Sequence, residues 1–365
     1  MNDDLRPVED ALRAAFARQE ESTPPAGPVR AAIEAAVSRR RRRRRTAQAV
    51  GVALALFAVL SVPVLGRIGT APATPEPAAP SPTTPGPGEP AEPLDFLVLG
   101  IDGGDGRRHG NRADTVLMVH VPADRSRLYL ISLPRDLGVE IPGYGYDKLN
   151  AAFYLGSHRP GQRPDLARGA ELTERTVAAL TGVRFDGTAT LNYQGLRQVT
   201  DAVGGVEVCL PDRVSSRHTG REYPTGCQHL DGARALDLLR QRVGMPEGAH
   251  DRDRNAQRFV KALLQKLRDP AIADNPGRIA EILAAAGTNL TLRLDGTTVP
   301  ELAATLRPVA AAEPVGIGWT INPVRGVTGA WVETLDPAES HSLFEALRRD
   351  RLAEWVARHP HRVTG

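Results

Sequence analysis

The feature that most constrains this 365-residue chain is a run of seven arginines, Arg39–Arg45, followed after one residue by the uncharged stretch Ala47–Gly66. As a helix rising 1.5 Å per residue, those 20 residues span about 30 Å, the hydrocarbon thickness of a bilayer. Backbone groups in lipid must be satisfied internally, so the stretch predicts a transmembrane helix. A buried core helix seldom follows seven adjacent like charges, and a cleaved signal peptide has a shorter apolar core nearer the N-terminus. Only Arg67 flanks the far side, which predicts a cytoplasmic N-terminus and an exterior remainder, anchored in the cell membrane by a single pass. The net charge of +3 is smaller than the run's own contribution, so the rest of the chain is slightly acidic. That balance argues against a nucleic-acid-coating protein and makes the run a topology signal.

The span divides the chain. Residues 1–46 form a cytoplasmic tail in which Val8–Glu20 has amphipathic spacing, and Pro24, Pro25 and Pro28 prevent a larger fold. Residues 67–93 are dominated by Pro, Ala and Thr, a composition that makes an extended, semi-rigid spacer. Residues 94–292 are expected to hold the principal domain, with 293–365 a helical and strand extension packed on or following it. Cys209 and Cys227 lie beyond the span and bracket a polar loop, matching no zinc signature. An oxidising exterior favours a disulfide between them; two unpaired buried thiols are the alternative.

From Leu94 on, strand and helix patterns interleave. Asp95–Ile101, Thr115–Val121 and Arg127–Leu133 read as strands, the last two joined by a turn at Pro122–Ser126. Helical spacing covers 165–180, 193–203, 232–239 and 253–267, and later 302–309 and 338–357. Ala189–Asn192 and Val206–Leu210 are short strands, and Val315–Ile321 with Ala330–Thr334 suggests a strand pair packed by Trp319 and Trp331. The expected fold class is α/β, a mixed central sheet flanked by helices on both faces.

Polar residues worth explaining sit at strand ends. Asp102 closes the first strand, Asp114 opens the second after Arg112, and Arg135-Asp136 closes the third. Arg240 and Arg242 follow a helix, and Asp251-Arg-Asp-Arg opens the next. Two carboxylates at adjacent strand ends suit a hard cation such as Mg²⁺, which takes one or two carboxylates plus phosphate oxygens and water. Converging arginines suit a pyrophosphate, because guanidinium forks match phosphate oxygens. Surface ion pairs are the competing account of the same residues. His109, His120, His158, His218 and His229 lack ligand spacing and read as surface or loop residues. Phe259–Leu267 and Ile279–Ala285 are apolar enough to line a lipid tunnel, or simply to pack a core.

The segment from Leu94 to about Leu267 resembles the LytR-CpsA-Psr family of membrane-anchored cell-wall glycopolymer ligases. The matching stretches are FLVLGID, Arg112-Ala-Asp-Thr, LYLISLPRD, Asp147-Lys-Leu-Asn, TDAVGGVEV, CQHLDGARALDLLRQR and DRDRNAQRFVKALL. The resemblance implies transfer of a glycopolymer phosphate from an undecaprenyl-pyrophosphate-linked donor to a peptidoglycan hydroxyl. It implies that Asp102 and Asp114 hold Mg²⁺, and that Arg135, Arg240, Arg242 and Arg252 grip the pyrophosphate. It also implies that Arg112 supports Asp114 or the phosphates, that Lys148 and Asn150 border the pocket, and that Asp136 belongs with them. The Cys209–Cys227 pair resembles one seen in some actinobacterial members.

The chain departs from the family in one place. Many members read D-F-G-R-x-x-R-Q where this chain has Ala249-His-Asp-Arg-Asp-Arg-Asn-Ala, losing an acid, an arginine and a glutamine at Ala249, Asn255 and Ala256. Asp251 and Gln257 are the nearby candidates to replace the acid and the amide. The departure leaves room for a degenerate pyrophosphate binder or pyrophosphatase. A membrane-anchored regulator of envelope synthesis is the third reading.

Overall fold

Strand β1 (Leu94–Ile101) alternates its side chains, sending Leu97, Leu99 and Ile101 into one buried cluster and Phe96 into another. Period-two alternation with both faces apolar demands cover on both sides of the sheet. The computed structural model supplies it. It describes residues 92–103, 111–241, 245, 248–306, 309, 312–326 and 329–364. The expected cytoplasmic tail, the apolar stretch Ala47–Gly66, most of the expected linker and Arg242 lie outside the described residues. Among the described residues no helix is long and apolar enough to cross a membrane.

β1 pairs antiparallel with β2 (Ala113–Val121), which pairs antiparallel with β3 (Tyr129–Leu133). A short hairpin follows, β4 (Gly138–Ile141) with β5 (Gly145–Lys148). β6 (Gly187–Asn192) lies parallel to β1 on its other side. Beyond β6 come the hairpin partners β7 (Val206–Leu210) and β10 (Gly226–Leu230), with the small ladder β8 (Val214–Ser215) and β9 (Glu222–Tyr223) between them in sequence. β11 (Leu290–Leu294) pairs antiparallel with β6, and β12 (Val315–Ile317) pairs parallel with β3. The remaining strands are β13 (Ile321–Arg325), β14 (Trp331–Leu335) and β15 (Val363–Thr364). The main sheet is mixed and seven-stranded, ordered β11-β6-β1-β2-β3-β12-β15. Residues 293–365 thus contribute strands to the same sheet that begins at Leu94.

The helices start and stop where local chemistry dictates. α1 (Leu149–Ser157) follows β5 directly. The Asp165 side chain accepts from the Arg168 N–H to cap α2 (Leu166–Thr181), and Gly182 ends it at φ 71°, a left-handed conformation that glycine adopts without a Cβ clash. Asn192 caps α3 (Tyr193–Ala202) and Asp231 caps α4 (Gly232–Arg240) in the same way. α5 (Ala249–Leu267), α6 (Pro276–Ala286), α7 (Val299–Leu306), α8 (Pro337–Arg348) and α9 (Leu352–Arg358) follow. α1, α2, α8 and α9 cover one face of the sheet, and α7 packs on Phe96, Leu117 and Leu130 of the other. A further core joins α3, α4, α5 and α6 to the β7–β10 hairpin.

Four expectations need correction. The late strand pair is β13 with β14; Val315–Ile317 instead joins the main sheet, where β3 offers it an open edge. Trp319 packs edge-to-face on Phe344, whereas Trp331 is exposed beneath the Arg325 guanidinium. The helix expected at 338–357 is broken after Arg348, and Asp350 takes φ 53° so that its carboxylate can reach the Ala123 N–H and His120. His120 is therefore no surface residue. It is fully buried between Asp95 (2.9 Å) and Asp350 (2.9 Å). Burial opposes its charge, but the two carboxylates outweigh that and raise its pKa above the usual 6.5.

Candidate active site

The β1–β2 ladder is regular from Leu94↔Val121 to Gly100↔Thr115, then shifts so that Ile101 faces Ala113. Asp114 is thereby the extra residue of a bulge, a device that re-aims the side chain it carries. Its carboxylate lines a cavity of about 520 Å³ together with Asp102, Arg135, Arg240 and Arg252. Asp102 sits just past the end of β1. Its Oδ1 accepts the Arg112 N–H at 2.7 Å, and its own N–H donates to the Arg112 carbonyl at 3.2 Å. Burial raises the Asp102 pKa above the ordinary 3.8, and the nearby Asp114 charge adds to the rise against the Arg112 N–H.

Both Asp114 oxygens are engaged. Arg135 donates to Oδ1, and the Tyr193 hydroxyl donates to Oδ2 at 2.7 Å. Burial and the Asp114 charge push the Tyr193 phenol far upward, so it stays a neutral donor. Tyr193 opens α3 and its ring lies 5.2 Å below the guanidinium of Arg240, the last residue of α4. That contact aims Arg240 at the rim where Asp114 stands. Arg252 enters from the first turn of α5 and is only 3 % exposed. Its Nε and Nη2 donate to Asp253 Oδ1 at 3.2 and 2.8 Å, while its Nη1 is buried without a partner. A buried guanidinium N–H left unpaired costs free energy that an anionic ligand would recover.

Below this rim the cavity is apolar, walled by Leu117, Leu191, Leu196, Leu239, Phe259 and Leu263. The α5 contribution follows helical spacing: Arg252, Ala256, Phe259, Val260 and Leu263 form one face. Residues Ile279–Ala285 are not among the lining; Ile282 packs in the core beneath.

A second tier braces the rim without lining it. Arg112 donates to Asn150 Oδ1 at 3.1 Å and lies 5.6 Å over the Tyr154 ring; the carboxylate it touches is Asp102, by its backbone, rather than Asp114. The Asn150 N–H holds the Arg135 carbonyl at 2.9 Å, so one asparagine sets both arginines. Asp136 pairs with Arg135 Nε at 3.2 Å and with Lys148 Nζ at 2.9 Å. Burial works against its ionisation, yet Lys148 and Arg135 hold its pKa below the usual value.

Asp251 and Gln257 lie apart from this cavity. Asp251 pairs with Arg254 one helical turn on, at 2.5 Å. Gln257 is buried, and its amide donates to the carbonyls of Leu130 (3.2 Å) and Ile317 (2.9 Å) while accepting from Thr364. It stitches β3, β12 and β15 together because helical spacing turns it away from the face of Arg252 and Ala256. Asn255 likewise faces inward, donating to Met245 Sδ at 3.7 Å and accepting from Arg258.

The structure adds residues that sequence spacing did not reveal. Tyr193 is 79 positions from Asp114, and no local pattern links them. Arg217 and His218 also line the cavity. They ride on the loop between β7 and β10, whose strands place Cys209 directly opposite Cys227 in a disulfide. The buried carboxylate of Asp237 fastens that loop through Ser216 (2.8 Å), Thr219 (2.8 Å) and Tyr223 (2.7 Å).

Residues 72–338 match the model of the LytR_cpsA_psr family. The chain belongs to that family. It is 33 % identical over 260 residues to the probable cell wall biosynthesis protein LcpB of Corynebacterium glutamicum, covering 70 % of this chain and 57 % of that protein. It is 31 % identical over 214 residues to TagU of Enterococcus faecalis, a polyisoprenyl-teichoic acid–peptidoglycan teichoic acid transferase, covering 58 % of this chain and 65 % of that one. The chain thus spans somewhat over half the length of these family relatives. The crystal structure of Bacillus subtilis TagV superposes with a TM-score of 0.57 at 21 % identity, over 71 % of this chain and 97 % of the other. TagT bound to LI-WTA superposes with a TM-score of 0.56, also at 21 % identity, over 71 % of this chain and 90 % of that one. These likenesses establish a shared fold.

Proposed function

We propose that this LytR-CpsA-Psr chain is a membrane-anchored, magnesium-dependent phosphotransferase. It moves a glycopolymer phosphate from an undecaprenyl-pyrophosphate-linked donor to a peptidoglycan hydroxyl, on the exterior side of the cell membrane. The observation that carries this reading is the meeting of Asp102, Asp114, Arg135, Arg240 and Arg252 on the rim of one apolar cavity. The naming of TagU as a polyisoprenyl-teichoic acid transferase supports the donor class.

The rim and the body suit the two halves of such a donor. Polyprenyl tail buries against Leu191, Phe259 and Leu263, and the pyrophosphate meets Arg240 and the unpartnered Nη1 of Arg252. Phosphoryl transfer asks little covalent chemistry of a protein; positioning and charge stabilisation dominate. Arginines held by Tyr193, Asn150 and Asp253 are set before the charge develops, so little reorganisation accompanies the reaction.

Asp102 and Asp114 fit a hard divalent cation: both are oxygen donors, and the charge of one opposes ionisation of the other. Mg²⁺ takes one or two carboxylates and completes its shell with phosphate oxygens and water, a set that these two aspartates and a pyrophosphate would supply. When bound, the ion supplies charge neutralisation at the pyrophosphate.

Purified full-length protein, given lipid-linked glycopolymer, peptidoglycan and Mg²⁺, should form a covalent polymer–peptidoglycan product. Arg240→Ala should slow transfer about 100-fold, the scale of a lost charge-stabilising donor. Undiminished transfer by that variant would remove the arginine clamp. One observation favours a second reading: Ala256 presents no amide to the cavity and Asn255 faces Met245. Phosphate release without polymer joining would favour that hydrolase.

A further inference from the structure

Helix α5 has a second lined face. His250, Asp253, Arg254 and Gln257 recur at three- and four-residue spacing, offset from Arg252 and Ala256, and line a separate cavity of about 590 Å³. The opposite wall comes from two late segments, Gly318–Ile321 and His361–Thr364. α5 is therefore a partition between two cavities. One contact crosses it, the pairing of Arg252 on the donor side with Asp253 on the other; beside the helix, Arg135 on the donor side directly follows Pro134 of the second cavity's lining.

The lining of this second cavity has a definite chemistry. Arg254 and Arg362 are ion-paired to Asp251 and Glu339, so the cationic character is moderated rather than concentrated. His250 and His361 add imidazole hydrogen-bonding groups, and Trp319 adds an aromatic flank. The Ser132 hydroxyl is buried there without a protein partner, although the neighbouring Ser132 carbonyl accepts the Trp319 N–H at 2.7 Å. Hydroxyls, imidazoles, half-neutralised arginines and an aromatic edge suit a sugar bearing hydroxyl and carboxylate groups. They do not suit a lipid tail.

We propose that this cavity, completed by the C-terminal segment, is the subsite for the acceptor glycan, and that Asp253 takes the proton of the attacking hydroxyl. The inference rests on the transferase reading above. In the step, the acceptor oxygen bonds to phosphorus while the bond from phosphorus to the polyprenyl-phosphate oxygen breaks. The electron pair leaves with polyprenyl phosphate, and the hydroxyl proton passes to the Asp253 carboxylate. Arg252 donates twice to the same oxygen of Asp253, Oδ1, and makes no hydrogen bond to Oδ2. One residue pair then touches both substrates: its guanidinium the donor phosphate, its carboxylate the acceptor.

The test uses the full-length protein in detergent with two probes, muramidase-released peptidoglycan oligosaccharides and polyprenyl pyrophosphate. His361→Ala should weaken oligosaccharide binding about tenfold, and His361→Trp should block it, with polyprenyl pyrophosphate affinity unchanged in both. Asp253→Asn keeps the Oδ1 acceptor for Arg252 and should retain both affinities, while single-turnover transfer falls about 100-fold, the usual range for a lost general base. Oligosaccharide binding that is equal in wild type and both His361 variants, or that polyprenyl pyrophosphate displaces, overturns the acceptor site. Undiminished transfer in Asp253→Asn overturns the proton role. Failure of polyprenyl pyrophosphate to bind the wild type breaks the donor reading instead, and is scored apart from the oligosaccharide result.

Discussion

The two faces of α5 contrast in chemistry and in origin. One presents Arg252 above Ala256, Phe259 and Leu263; the other presents His250, Asp253, Arg254 and Gln257. The first is completed by the sheet and by α3 and α4, from the segment that matches family motifs. The second is completed by Gly318–Ile321 and His361–Thr364, and the last of these lies beyond the family match at residue 338. A single helix can separate two such environments because its period places residues three and four apart on a shared face. Neighbours in sequence, Arg252 and Asp253, then belong to different cavities and still neutralise one another.

The contrast can be broken most forcefully at that pair. Arg252→Ala strands the Asp253 carboxylate and should cost about 3–5 kcal/mol of stability, read by urea unfolding. Arg252→Ala with Asp253→Ala should recover much of that stability without restoring donor binding. Full recovery of donor binding would show that Arg252 serves structure alone. Removing the Cys209–Cys227 disulfide should cost about 3 kcal/mol in the chain-entropy model and loosen the loop that sets Arg217 and His218 on the donor side. Unfolding with and without reductant measures both the stability and the donor affinity.

Gln257→Ala sharpens the contrast from the other face. It leaves the Leu130 and Ile317 carbonyls without their side-chain donor and should cost about 1–3 kcal/mol, with donor affinity unchanged. A lost donor affinity would place this glutamine in the donor site after all. The smallest effect is expected far from both cavities, at His120. Its folded pKa is raised, so its stabilisation is complete below about pH 6.5 and is lost as pH rises through the folded value. Thermal unfolding of wild type against His120→Gln should converge at alkaline pH. A gap that is constant between pH 5 and 9 would mean that His120 acts through packing and not charge.

Much of the Asp102–Asp114–Arg135 rim was legible in the residues. Asp102, Asp114 and Arg135 sit at strand ends, where a sheet leaves polar side chains beside one another, and spacing exposes that. Tyr193 was not legible: its link to Asp114 and Arg240 depends on β6 lying parallel to β1, which brings the start of α3 alongside the bulge. The loss of arginine and glutamine at Asn255 and Ala256 was visible, but not that Asn255 would turn toward Met245 and Gln257 toward the sheet. Lacking ligand spacing, His120 resembled a surface histidine. Only the left-handed turn at Asp350, 230 residues later, shows why it is buried.

By itself the sequence determined the elements and their caps, the apolar segment behind the arginine run as a membrane-anchor expectation, and the set of residues able to meet a pyrophosphate. These follow from local physics: period, length, side-chain chemistry and charge adjacency. Tertiary structure decided which of those residues share a cavity, that a bulge aims Asp114, that Arg252 keeps one buried N–H unpartnered, and that the C-terminal strands close a second chamber across α5. These depend on contacts between segments tens to hundreds of residues apart, and pairing of that range leaves no periodic trace along a single chain.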